Sequence, residues 1–236
     1  LAPGTCRVLA VYGAAQCASL GSIHQEVLSV GQMAVAKSLV AAWCMAEQYA
    51  RRHLRGETVI LNAANGVVGQ VLVQMLSVLG YVVIAVIRRH EGAELLRRRL
   101  EEMGAVKVLL DGDDLGSSVL ELEVKAPVLA LDAVGGEATS RLASTLSRTG
   151  DVVCYGQVGG SKRQVMPSGW GKKWKGTLHH FSLDEWLQQD PEVKSKRLIE
   201  MIEEASKLMA AGRLKLETKE YAFADLHAAV LDARQP

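Results

Sequence analysis

A doubly wound parallel α/β sheet is the fold class that this sequence predicts, and three observations predict it. Short β-branched runs alternate with helical stretches from residue 58 to residue 155. The runs lack a polar face, as strands covered on both sides do. The first of them passes through a small-residue turn into an apolar helix, in the stretch ETVILNAANGVVG over 57–69. Alternation at this spacing calls for helical crossovers, and so for parallel neighbours rather than hairpins.

Composition narrows the function classes. The chain has 236 residues, 49% of them hydrophobic, and a formal net charge of +1. That length suffices for one large domain. Near-neutral charge supplies no general attraction to nucleic acid or an anionic membrane, and neither is expected as a partner. Cys6, Cys17, Cys44 and Cys154 form no CxxC pair and have no histidine at ligand spacing, so they read as free thiols in a reducing compartment, with no metal site. The opening LAPGT has no leader character, and no signal or transit peptide is visible. The stretch 67–87 is as long as a bilayer span. Gln70, Gln74, Ser77 and Gly80 interrupt it, so a buried helix followed by a buried strand is the expectation.

The elements follow in order. A strand over 7–12 is one reading of the first thirty residues, with a small, polar loop after it. The spacing of Val35, Leu39, Trp43, Met45, Ala46 and Tyr49 predicts an amphipathic helix over 34–54. Arg51, Arg52, His53 and Arg55 suit its C-terminal dipole, and Gly56 caps it; the cluster is either a solvated helix end or a ligand site. The first strand spans 58–62 and the turn 63–66; the next helix runs from 67 or 68 to 79 and stops at Gly80. A second strand over 81–87, a helix over 91–103 and a third strand over 106–110 follow. The fourth strand covers 128–132, a helix 137–147 and the fifth strand 151–155. A loop with Lys162, Arg163, Pro167 and Gly169 leads to a sixth strand over 174–178. A helix over 191–211, an extended stretch over 214–221 and a helix over 224–233 complete the chain.

The first turn offers anion chemistry. Asn65, Gly66, Val67 and Val68 bring backbone N–H groups and a helix N-terminus to a place where a pyrophosphate can sit. The dinucleotide fingerprint GxGxxG is incomplete: Gly66 and Gly69 occupy two of its places and Ala64 the first. A purely structural turn is the alternative. Nineteen residues beyond Gly69 stand Arg88 and Arg89, with no acid before Glu91. Cations there accommodate a 2′-phosphate, which predicts NADPH; a solvated arginine pair is the other reading. The fourth strand exit, Asp132, Ala133, Val134, Gly135 and Gly136, and the fifth, Tyr155 and Gly156, share the same sheet edge, so these turns, with Val134, Gly135, Tyr155 and Gly156 as the binding residues, are expected beside the ribose and nicotinamide, unless they are ordinary turn residues. A catalytic acid is not identifiable. Tyr155 is as consistent with packing, and so are His179 and His180. Lys172, Lys173 and Lys175 form a solvated face or a basic rim for a phosphate-bearing substrate such as a coenzyme A thioester. Hydride transfer needs no nucleophile arrangement, because the cofactor carries that chemistry.

These residues resemble a known family. AANGVVGQ, the strand ending VIRR, RRRLEEMGAVKVL, LALDAVGG and VVCYGQ together are similar to medium-chain dehydrogenase/reductases, and most like the mitochondrial trans-2-enoyl-CoA (enoyl thioester) reductases. Gly4, Thr5, Arg7 and Ala10 to Tyr12 are similar to the family's GTWR and AVF segments, with Cys6 in place of tryptophan. Ala42 and Trp43 stand where the family has Ala-Tyr, Ser38 where it has asparagine, and Gly176, Thr177 and Leu178 where it has Gly-Phe-Trp. The resemblance implies a Rossmann fold, NADPH, an acyl thioester substrate of fatty acid synthesis, no zinc, a homodimer and a mitochondrial location. It also implies that most of a GroES-like catalytic domain, with the proton donor, lies upstream. The corresponding division is a remnant of that domain at 1–38, the NADPH-binding domain at 39–178, and a helical segment at 179–236. A quinone or enone reductase of the same superfamily and a non-catalytic nucleotide-binding protein are the alternatives.

Overall fold

The computed structural model describes residues 36–157, 159, 174–216, 219 and 221–233. The expected strand at 7–12, the segments at Gly4–Tyr12, Cys6, Cys17, Lys162, Arg163, Pro167, Gly169, Lys172 and Lys173 lie outside them, as does nearly all of 1–38.

Six short strands make one sheet: β1 Thr58–Leu61, β2 Val82–Ile87, β3 Lys107–Leu110, β4 Leu129–Asp132, β5 Asp151–Cys154 and β6 Leu178–His180. They lie in the order β3-β2-β1-β4-β5-β6, and every adjacent pair is parallel. That is the doubly wound order, whose direction of winding reverses between β1 and β4. β1 and β4 are buried along their whole length. The crevice at their carboxyl ends is therefore fixed by topology.

Helices cover both faces. They are α1 Ala36–Gln48, α2 Val67–Val78, α3 Ala93–Glu102, α4 Leu115–Leu120, α5 Glu137–Ser144, α6 Leu183–Gln188, α7 Pro191–Ala210 and α8 Leu226–Ala233. Strand alternation divides the core: Val59, Leu61, Val83 and Leu131 pack with α1, α2 and α7, whereas Ile60, Ile84, Ala130 and Val152 pack with α4 and α5. The stretch 67–87 is indeed a helix and then a strand. No helix among the described residues is long and apolar enough to cross a membrane.

Three expectations need correction. The first helix ends at Gln48, and a 3-10 turn follows at Ala50–Arg52. The Tyr81 hydroxyl donates to the Ala50 carbonyl at 2.7 Å and holds that turn. The six-residue helices α4 and α6 were not expected, since fewer than two turns leave no readable period. The sixth strand starts at Leu178 rather than at 174. Before it, the Trp174 indole donates to Gly150 O (2.7 Å) and Lys175 N to Arg148 O (2.7 Å), so this segment bonds to the turn before β5. Gly176, Thr177 and Leu178 consequently lead into the strand, and Phe181, Ser182 and Leu183 follow it.

Candidate active site

The first turn sits at the reversal point because its neighbours on both sides hold it. Ala64 N donates to Val86 O of β2 (3.4 Å), and Asn62 N to Leu131 O of β4 (3.2 Å). Ala63 takes a positive φ of 47°, which turns the chain sharply out of β1. Gly66 precedes α2 in extended conformation with no side-chain cap, leaving the first N–H groups of the helix for another acceptor. Asn65 and Val68 are half-buried, and Gly66 and Val67 are exposed. Gly69 lets the helix lie directly on the turn: a Cβ there would meet Ala63 O at 2.6 Å and Ala64 Cα at 2.7 Å. This is the close approach that the third glycine of a dinucleotide loop provides.

A buried polar staple organises the second wall. Asp132, the last residue of β4, is 0% exposed. Its Oδ1 accepts from Asn62 Nδ2 (2.5 Å), Val134 N (3.0 Å) and Gly135 N (3.2 Å), and its Oδ2 from the Thr139 hydroxyl (2.5 Å). The Cys154 thiol lies 3.7 Å from Oδ2. Asn62 Oδ1 in turn accepts from Ala133 N (2.7 Å). The ends of β1, β4 and β5 are thus joined to the loop before α5. Positive φ at Gly135 (82°) and Gly136 (62°) lets that loop curl around the carboxylate.

The fifth exit packs against this loop. Tyr155 N donates to Asp132 O (2.8 Å), and a Cβ at Gly156 would meet Ala133 O at 2.7 Å. The Tyr155 hydroxyl is buried with no hydrogen-bond partner among the described residues. Burial, and then the negative charge of Asp132, pushes its phenol well above the usual value of 10. It is a hydrogen-bond donor waiting for an acceptor rather than a ready acid. Tyr155 and Gly156 line a cleft of about 540 Å³, together with Ser38 and Ala41 of α1, Val68 of α2, and His180 and Phe181. Lys37 and Asp184 form an exposed ion pair at 2.9 Å on the same cleft.

Arg88 and Arg89 follow β2 directly and are exposed. The two histidines part company because strand residues alternate in direction. His180 lines the cleft. His179 packs against Tyr49 with tilted rings whose centroids are 5.0 Å apart, and its Nε2 lies 3.7 Å from Asp151. Among the described residues no group of three or more His, Cys, Asp or Glu side chains could hold a metal ion.

Sequence reasoning gave no role to Asn62, and it placed Asp132 in the fourth strand exit without assigning it the loop-holding contacts seen here. Each is a polar residue at the carboxyl end of a fully buried strand, which is the signal that could have marked them. Small residues around the first turn and an unpartnered phenol at the cleft fit a dinucleotide. The pyrophosphate would lie on the start of α2, and the ribose and nicotinamide along 134–135 and 155–156.

No protein-family model matches the chain. The mitochondrial enoyl-[acyl-carrier-protein] reductase of Xenopus tropicalis is 30% identical over 162 residues, which are 67% of this chain and 46% of that protein. Its namesake in Arabidopsis thaliana is 32% identical over 167 residues, 70% of this chain and 43% of that protein. The chain spans about half the length of such relatives. Among solved structures, the mitochondrial 2-enoyl thioester reductase Etr1p/Etr2p heterodimer of Candida tropicalis superimposes with a TM-score of 0.72 at 23% identity, covering 87% of this chain and 58% of that one. A quinone oxidoreductase of Pseudomonas syringae does so with a TM-score of 0.68 at 22% identity, covering 89% and 63%. In sequence and in fold, the chain resembles the mitochondrial enoyl reductases of the medium-chain dehydrogenase/reductase superfamily.

Proposed function

We propose that the chain forms the cofactor side of an NADPH-dependent oxidoreductase that reduces the 2,3 double bond of enoyl thioesters. The observation that carries this reading is the meeting of the α2 start and the Tyr155–Gly156 exit at one cleft, with that exit packed on the loop that the buried Asp132 carboxylate holds. Asn65, Gly66, Val67 and Val68 would hold the pyrophosphate, and Arg88 and Arg89 the 2′-phosphate. Val134, Gly135, Tyr155 and Gly156 would flank the ribose and nicotinamide. When bound, NADPH supplies a hydride for the β-carbon, and an acid then protonates the α-carbon. The family resemblance puts that acid before this chain, and the division into 1–38, 39–178 and 179–236 is part of the proposal. This chain's contribution is orientation at close distance and exclusion of water.

The structure of Etr1p with NADP and crotonyl-CoA, which has the same fold at 22% identity, supports both the cofactor and the substrate class. The names of the relatives support fatty acid synthesis and a mitochondrial location. A homodimer completes the proposal. The fold shared with the quinone oxidoreductase favours a second reading, reduction of quinones or enones by the same cofactor. Turnover of crotonyl-CoA and of a benzoquinone by the full-length protein with NADPH separates the two. Thioester turnover is expected; quinone turnover alone would sink the first reading.

A further inference from the structure

Asp132 does more at this site than hold a loop. Every partner of its carboxylate among the described residues is a neutral donor: the Asn62 amide, two backbone N–H groups, the Thr139 hydroxyl and the Cys154 thiol. Such bonds spread a negative charge without cancelling it, and no cation pairs with it among the described residues. The group is completely buried, so neither water nor salt screens its field as they would at the surface. The carboxylate sits directly behind the two turns proposed to flank the ring, because it accepts from Val134 N and Gly135 N while the Asp132 carbonyl accepts from Tyr155 N at 2.8 Å.

The proposed ligand changes its own charge in the reaction. The reduced nicotinamide ring is neutral and the oxidised ring carries a positive charge. A fixed anion near the ring therefore stabilises the product form of the cofactor relative to the reactant form. We propose that the buried Asp132 carboxylate sets this balance, favouring bound NADP+ over NADPH and so adding driving force to hydride donation. The inference rests on the cofactor reading of the site.

Asparagine separates charge from shape. Its Oδ1 can still accept from Asn62, Val134 and Gly135, while its NH2 can donate to Thr139, whose hydroxyl is able to reverse its role. The test is the dissociation constant of NADPH and of NADP+, measured by titration for the full-length protein and for Asp132→Asn. The variant should lose affinity for NADP+ by on the order of tenfold more than for NADPH. Asp132→Ser also lacks the charge and is smaller; it must move the ratio in the same direction, and it decides the matter where circular dichroism shows the asparagine variant unfolded. Equal losses for both cofactor forms would overturn the inference and leave cofactor binding intact. Failure of the unmutated protein to bind either form would overturn the cofactor reading and this inference with it.

Discussion

Gly69 lies against Ala63 so closely that a Cβ at position 69 would stand 2.6 Å from the Ala63 carbonyl oxygen. The neighbouring Cα and carbonyl carbon of Ala64 would be met at 2.7 and 3.0 Å. All three are backbone atoms and cannot rotate away. Alanine is the better helix former by about 1 kcal/mol, but separating a helix from the turn it packs on costs about 1–3 kcal/mol. The clash wins. Gly69→Ala is expected to lower the melting temperature by several degrees and to weaken NADPH binding, because the α2 start would shift from the pyrophosphate position. Thermal melts and a cofactor titration check both; an unchanged affinity would remove the turn from the binding site.

Ala63 carries the opposite situation. Its φ of 47° is the only positive value at a non-glycine position among the described residues. An L-residue there pays about 1–2 kcal/mol in sterics, whereas glycine gives up about 0.5–1 kcal/mol to unfolded-state entropy. Ala63→Gly should therefore stabilise the fold by about 0.5–1 kcal/mol and raise the melting temperature by about 2 °C. Differential scanning calorimetry reads this directly, and a lower melting temperature would mean that the Ala63 methyl packs better than its backbone angle costs.

These two residues show how far local pattern carries. The alternation from Thr58 to Cys154 was readable because strands covered on both faces appear as apolar runs, and glycines mark the stops between them. The bounds of these five strands fell within a residue of the observed ones, whereas the helix expected over 137–147 ends at Ser144 and the one expected from 91 begins at Ala93. The Asn62–Asp132 pair was not readable, since it joins residues seventy apart that meet only because β1 and β4 are neighbours. Either residue alone looks like the polar start of a turn. The cleft has the same character: Ser38, Val68, Tyr155 and His180 reach it from four separate elements. The sixth strand slipped by four residues because Trp174 looks like a strand residue and instead spends its indole N–H on Gly150.

Arg88 and Arg89 are exposed at the end of β2, and this sharpens the prediction of cofactor choice. A guanidinium contact to a 2′-phosphate is charge-assisted, so Arg88→Ala should weaken NADPH by about ten- to a hundredfold. NADH lacks that phosphate and should be nearly unaffected. Because the site is exposed, the difference should shrink as salt is raised. Dissociation constants for both nucleotides at two ionic strengths test the assignment. Equal losses for NADPH and NADH would refute the phosphate role and leave Arg89 to be examined in the same way.

Cys44 provides a pH signature of the packed core. It is 0% exposed, beneath α7, with its sulfur 3.7 Å from that of Met201. Burial, followed by the charge of Glu47, pushes the thiol from 9.0 up to about 12. The folded state thus keeps a proton that the unfolded state releases above pH 9, and more bound protons in the folded state mean that stability falls as pH rises. The contribution is complete below pH 9 and is lost between pH 9 and about 12, at up to about 1.4 kcal/mol per pH unit. Tyr49 and Tyr81 are also raised by burial and add their own slope at higher pH, so a single curve is insufficient. Denaturant unfolding at pH 8, 9 and 10 should show a steeper decline for the unmutated protein than for Cys44→Ala, which starts less stable but lacks the thiol. Parallel declines would mean that Cys44 ionises as readily folded as unfolded, and that α7 does not seal it from water.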